Sequence, residues 1–188
     1  MRQPFGKRHC GWRVYAGLDG PRPALRAFVF RPDAFRGENR GVYEKTLFAG
    51  WGDMDFNAHM RNTAFLDKSG DVRMMFFADR GFPAAEFARL RIGPVVMKDE
   101  LEYFREVALL QTLRVTLAAA GMSEDGSRFL LRNEFLREDG TPCARVTSAG
   151  GWLDLSLRKL TSPPEPLLAA MGTLARTDDY RVLPSSVR

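Results

Sequence analysis

The sequence predicts an α+β domain in which one long helix packs on a five-stranded antiparallel sheet. Three observations carry this. Residues 58–80 contain no proline and place Met60, Ala64, Phe65, Val72, Met75 and Phe76 near helical spacing. Downstream the period switches to two. Leu101, Tyr103 and Val107 alternate with Lys98, Glu100, Glu102 and Glu106, and Leu113, Val115 and Leu117 alternate with Thr112, Arg114 and Thr116. Two turn signals, Ser123-Glu124-Asp125-Gly126 and Glu138-Asp139-Gly140, then separate further strand-like runs.

Taken in order, Val42 to Phe48 reads as the first strand, followed by the Gly- and Asp-rich turn Gly50-Trp51-Gly52-Asp53-Met54-Asp55. The long helix is expected from about Ala58 to Arg80, with Asp55 or Asn57 as its cap and Gly81-Phe82-Pro83 as its stop. Gly70 inside it is costly in an exposed helix, so close packing against a neighbour is expected there. Four strands follow: Lys98 to Val107, Thr112 to Ala119, Arg128 to Leu136, and a long final one from Cys143 to Leu157. Gly150-Gly151 in the last strand signals a bulge or the close approach of another backbone or a ligand. Pro163-Pro164-Glu165-Pro166 ends the sheet, and Leu167 to Leu174 suits a short helix. A single helix covers one face of such a sheet, so loops, the C-terminal segment or a second copy are expected to cover the rest; this favours a symmetric oligomer.

The chain has 188 residues and a net charge of +5, with 45% hydrophobic and 27% charged residues, which suits a folded domain of ordinary composition. Its sequence pI is about 9.6, which raises nucleic acid or an anionic membrane as a partner. The charge sits at one end. Residues 1–40 hold nine Lys or Arg and three Asp or Glu, giving +6, and residues 41–188 hold 19 and 20, giving −1. Residues 1–40 therefore read as a basic, flexible extension or an over-early start, 41–160 as the folded domain, and 161–188 as a C-terminal tail. Neither nucleic acid nor membrane is expected as a partner. Cys10 and Cys143 cannot make a disulfide framework, and with only His9 and His59 beside them there is no CxxC, HExxH or other metal-ligand spacing. No metal and no cofactor are expected. No signal-peptide core or membrane-length apolar run is present, so a cytoplasmic location is expected.

Chemistry concentrates in Trp51-Gly52-Asp53-Met54-Asp55-Phe56-Asn57-Ala58-His59-Met60-Arg61-Asn62, at the strand-to-helix junction. A carboxylate beside the N–H groups and positive dipole end of a helix is an arrangement suited to acyl transfer. Spacing alone equally allows Asp53, Asp55 and Asn57 to serve as caps, with His59 bonded inside the core. Asp53 and Asp55, His59 four residues later and Asn62 three beyond that, opening a long helix followed by four strands, resemble the hotdog-fold acyl-CoA thioesterases, in particular the 4-hydroxybenzoyl-CoA thioesterase-like branch. The resemblance covers roughly residues 42–160. It implies a sheet wrapped around a central helix, a homodimer or homotetramer with active sites between protomers, and an acyl-CoA or acyl-carrier-protein thioester as substrate. By the same resemblance Asp55 is general base or nucleophile. His59 and Asn62 position substrate, water or the loop; Asn57 and Trp51 contact substrate, and Arg158 and Lys159, or Lys98 and Arg105, meet the CoA phosphates.

Some features depart from related patterns. A bacterial subgroup with tyrosine four residues before the catalytic aspartate and histidine seven after it has Trp51 and Asn62 here, so its proton relay does not carry over. Asp67 and Asp71, one turn apart on the helix, match a branch with a helical carboxylate, but a solvated face with Lys68 and Arg73 explains them better. Hotdog enoyl-CoA hydratases place a proline where Ala58 stands and their histidine one residue later than His59. On a helix that offset is about 100° of rotation, which disfavours hydration chemistry. A non-catalytic acyl-binding scaffold is the remaining alternative. Gly121-Met122-Ser123-Glu124-Asp125-Gly126 is a hairpin turn rather than a nucleophile elbow, and no dinucleotide or P-loop fingerprint occurs.

Overall fold

The computed structural model of the chain describes residues 41–187; the expected basic extension, residues 1–40, lies outside them. The described chain opens with β1 (Tyr43–Phe48), then α1 (Asn62–Asp79), α2 (Ala84–Leu90), β2 (Ile92–Tyr103), β3 (Thr112–Ser123) and β4 (Arg128–Leu136). It ends with β5 (Pro142–Asp154), β6 (Lys159–Thr161), α3 (Glu165–Met171) and β7 (Arg176–Leu183). The five expected strands form an antiparallel path in the order β1-β3-β4-β5-β2. Two more join it: β6 folds back on β5, and β7 runs parallel to β3, beyond the stretch of β3 that β1 occupies.

Side-chain alternation sets the faces. Along β4, Phe129, Leu131, Asn133 and Phe135 are buried and the residues between them are not. Register places Leu131 and Phe135 beside Ala119 and Val115 of β3, and beside Ser148 and Ala144 of β5. Against this face lies α1, contributing Ala64, Phe65, Val72, Phe76 and Phe77. Trp152 of β5 is the centre of the core: Phe77 and Phe129 meet it edge-on at 5.6 Å, and Phe87 of α2 stacks on it at 6.0 Å. Its indole N–H donates to the Gly126 carbonyl at 3.1 Å, so the buried polar atom is satisfied.

Several boundaries differ from the sequence expectation. The long helix begins at Asn62, not Ala58, because residues 55–60 close into a turn that carries Ala58 at φ 64°. Its end is where expected: Gly81, at φ 88°, donates to Ala78 and Phe82 donates to Phe77, a left-handed stop that favours glycine. Next, β2 starts six residues early, at Ile92, since the run Ile92-Gly93-Pro94-Val95-Val96-Met97 lacks alternation; Pro94 is tolerated because β2 is an edge strand. The long strand is not the last, for β6 is only three residues and β7 carries charge at Arg176, Asp178, Asp179 and Arg181. A β-carbon on Gly70 would meet nothing nearer than the Arg73 guanidinium at 3.8 Å, so backbone packing does not account for that glycine.

The glycine pair marks a close approach, as expected. A β-carbon on Gly150 would collide with the Val95 carbonyl and the Phe129 ring, and one on Gly151 would stand 2.7 Å from the Ser127 carbonyl. The bulge is on the partner strand, where Met97 is the extra residue between Val96 and Lys98. The sheet face turned away from α1 needs no apolar cover. It carries Arg145 between Glu134 (2.7 Å) and Glu102 (3.4 Å), Arg114 against Glu44 (3.7 Å), and Arg132 against Asp179 of β7 (2.7 Å).

Candidate active site

The strand-to-helix junction folds as a hydrogen-bonded loop. Gly50 to Asp53 form a single 3₁₀ turn, with the Gly50 N–H donating to Asp53 Oδ2 at 2.7 Å. Lys68 of α1 donates to the same oxygen at 2.8 Å, both side chains being largely buried. Burial pushes the Asp53 carboxyl up, but the Lys68 and Gly50 hydrogen bonds and the nearby charges of Lys68 and Arg61 outweigh it and hold the group below the ordinary aspartate range. The first aspartate of the pair is thus a structural anchor between loop and helix. Arg61 N–H closes the loop on the Asp53 carbonyl at 2.8 Å.

Asp55 is built differently. Its Oδ1 accepts the backbone N–H groups of Asn57 (2.8 Å) and His59 (3.2 Å), while its own N–H donates to the His59 carbonyl at 2.9 Å. Oδ2 has no hydrogen-bond partner among the described residues. The loop between β2 and β3 completes the site, tied on by the Met60 N–H donating to the Val107 carbonyl at 2.8 Å. Between these two loops lies an open cleft of about 360 Å³, lined by Asp55, His59, Met60, Phe65 and residues 103–107. Phe65 meets Tyr103 and Phe135 edge-on, so one wall is aromatic, and burial raises the Tyr103 phenol. His59 Nε2 stands 3.0 Å from Glu106 Oε2 across the mouth.

Of the sequence-predicted residues, the structure brings Asp55 and His59 together in the cleft, with Arg105 also on its wall. Asn57 contributes its backbone N–H to Asp55 and its side chain is exposed. Asn62 is the first residue of α1; its carboxamide accepts the Thr63 N–H at 2.8 Å and does not line the cleft. Trp51 is 83% exposed on the 3₁₀ turn, away from the cleft lining. Arg158 and Lys159 lie at the opposite end of β5: Tyr103 pairs with Ala144 and Ile92 with Asp154, so roughly 30 Å of strand separates them from the cleft of the same chain. Sequence reasoning did not place Tyr103, Phe104 and Glu106 on this wall, because a strand end and a loop distant in sequence supply them. A second depression, of about 400 Å³, lies on the outer sheet face among Lys98, Glu100, Glu102, Arg132, Asp179 and Arg181; its acids and bases neutralise one another, and it has no nucleophile beside helix N–H groups.

The profile of the thioesterase-like superfamily matches residues 49–171, well over half of the chain, from the Asp53–Asp55 loop through α3. The chain belongs to the thioesterase-like superfamily. No curated protein matches it in sequence. Among solved structures it is similar to a hypothetical protein from Staphylococcus aureus in complex with CoA, at 21% identity and TM-score 0.64, covering 70% of this chain and 82% of that one. It is also similar to a 1,4-dihydroxy-2-naphthoyl-CoA thioesterase from Synechocystis (16%, 0.63, 70% and 96%) and a DHNA-CoA thioesterase from Staphylococcus aureus (13%, 0.64, 70% and 89%). At these identities the likeness is one of fold, and it places the superfamily's hotdog architecture on this sheet and helix. No helix among the described residues is long and apolar enough to cross a membrane.

Proposed function

We propose that the chain hydrolyses acyl thioesters of CoA or of acyl-carrier protein, with Asp55 carrying the attack. The observation that supports this most is the asymmetry of the Asp55 carboxylate: one oxygen is fixed by two backbone N–H groups, and the other is left for chemistry beside an aromatic-walled cleft. As general base, Oδ2 takes a proton from water. The hydroxide adds to the thioester carbonyl carbon, the C–S bond breaks, and the proton passes to the departing sulfur, giving the free acid and CoA thiol. As nucleophile, the same oxygen adds to the carbonyl carbon and the C–S bond breaks, releasing the thiolate to take a proton from water and leaving an anhydride that water then opens to the free acid and the Asp55 carboxylate. The positive end of the α1 dipole, which opens just after this loop, supports either route by favouring the negative charge that develops on the carbonyl oxygen.

His59 and Asn62 position the loop, and Trp51, Asn57 and Arg105 meet the substrate beyond the thioester. Arg158 and Lys159 reach CoA phosphates only at the cleft of another protomer. A homodimer or homotetramer is supported by β2, a 12-residue edge strand with Val96 and Met97 exposed, against which a second copy extends the sheet. The test is thiol release from a panel of acyl-CoAs differing in chain length and aromatic character. The parent should turn over, and Asp55→Asn should lower kcat by about 10²- to 10⁴-fold. Equal turnover by Asp55→Asn removes the assigned role, retention of ligand without turnover points to a binding scaffold, and addition of water to an enoyl-CoA points to a hydratase. Single-turnover reaction in ¹⁸O-water separates base from nucleophile, since only the anhydride route leaves label in Asp55 or returns unlabelled product first.

A further inference from the structure

Among the described residues, a histidine–carboxylate contact joins the two loops that form the cleft. Glu106 Oε2 approaches His59 Nε2 at 3.0 Å from the β2–β3 loop. Both partners are held by their backbones. Arg137, in the turn after β4, donates to the Glu106 carbonyl at 2.7 Å, and the neighbouring Val107 carbonyl accepts the Met60 N–H at 2.8 Å. His59 in turn grips Asp55 twice, donating its N–H to Oδ1 and accepting the Asp55 N–H at its carbonyl. The result is a continuous chain of contacts from Arg137 through Glu106 and His59 to the carboxylate proposed to attack.

We infer that Glu106 is a positioning residue for the thioester hydrolysis proposed above: through His59 it fixes the loop that aims Asp55 Oδ2 into the cleft. The inference rests on that reading of Asp55. The 3.0 Å approach sets the His59 ring against a carboxylate that offers only acceptors, and so ties the ring's orientation to the β2–β3 loop. Nδ1 then remains for water or substrate; it has no hydrogen-bond partner among the described residues. The pair is an exposed one, with the His59 side chain 41% and the Glu106 side chain 72% accessible, and exposed pairs contribute little to folding. Its value is geometric, and that makes it separable from stability.

The test compares Glu106→Ala and Glu106→Gln with the parent by thermal unfolding, steady-state kinetics on an acyl-CoA that the parent turns over, and ¹⁵N chemical shifts of the His59 ring. Glutamine keeps an oxygen to face Nε2 and alanine does not. Glu106→Ala should leave Tm in place, lower kcat by about 2- to 5-fold through misplacement of the attacking group, and shift the His59 ring nitrogens. Glu106→Gln should recover part of the rate. Parental kcat in Glu106→Ala, a loss confined to KM, or unchanged His59 shifts would overturn the inference. Its failure is distinct from failure of the thioesterase reading. Full activity in Asp55→Asn removes that reading, whereas the ring shifts report the Glu106–His59 link without any turnover.

Discussion

Asp53 and Asp55 are two residues apart and chemically identical, yet their surroundings differ, and under the proposed function substitution by asparagine should separate the two. Asp53→Asn keeps an acceptor for the Gly50 N–H but removes the charge facing Lys68, whose side chain is only 14% exposed. Breaking a fully buried pair costs about 3–5 kcal/mol and an exposed one at most about 1 kcal/mol, so with partners 14% and 20% exposed the loss should be about 2 kcal/mol. The Asp53 carbonyl still holds the Arg61 N–H, so the loop should survive and kcat should fall less than about tenfold. For Asp55→Asn, the carboxamide oxygen can still accept the Asn57 and His59 N–H groups. Stability should change by less than about 0.5 kcal/mol while kcat collapses. Urea unfolding with Lys68→Met and the Asp53→Asn/Lys68→Met double variant would give the coupling energy directly. Equal kinetic losses in the two asparagine variants, or an Asp53→Asn variant as stable as the parent, would refute this division.

Two further outcomes concern the frame around the site. Asp125 gathers Ser123, Ser127, Ser162 and Ser185 onto one carboxylate; burial pushes it up, but hydrogen bonds from Ser123, Ser185 and Ser127 dominate and hold it well below the usual range. A depressed pKa stabilises above the unfolded-state value of about 3.9 and is lost as pH falls below it, so Asp125→Asn should cost about 1–2 kcal/mol from pH 5 to 7 and progressively less below pH 4. Urea titrations across that range check it, and a gap that persists undiminished at the acid end would count against it. Gly150→Ala would press a methyl group on the Val95 carbonyl and the Phe129 ring, and should lower stability by about 3 kcal/mol, or Tm by roughly 10 °C in a thermal melt.

What the sequence made legible was periodic. The alternation of Leu113, Val115 and Leu117 and the stop at Gly81-Phe82-Pro83 each rest on local chemistry, and each is present in the structure. The start of α1 was misplaced for an equally physical reason. Asp55 and Asn57 are good caps, but Asp55 spends its Oδ1 on the Asn57 and His59 N–H groups to close a turn, and a residue serving that turn cannot also begin the helix four residues early. That Asp55 and His59 stand together was legible because they share one loop. Glu106 and Tyr103 were not, because only the pairing of β2 with β5 and of Met60 with Val107 brings them there.

The outer sheet face changes the argument for assembly. Counting elements suggests that a sheet with one helix leaves a face to be covered by loops, the C-terminal segment or a second copy. The residues refuse that role: Arg114, Arg132, Glu134, Arg145 and Glu102 form ion pairs across this face, and burying them under another sheet would strip solvent from a ladder of partly exposed charges. The unmet demand is at the edge. β2 offers an unpaired row of backbone groups, exposes Val96 and Met97, and ends at Tyr103, on the wall of the cleft that holds Asp55. A copy that pairs along this edge satisfies backbone groups without desolvating the charged face. In the proposed homo-oligomer such a copy would also stand beside the first chain's aromatic wall, so that assembly and completion of the site would depend on the same strand.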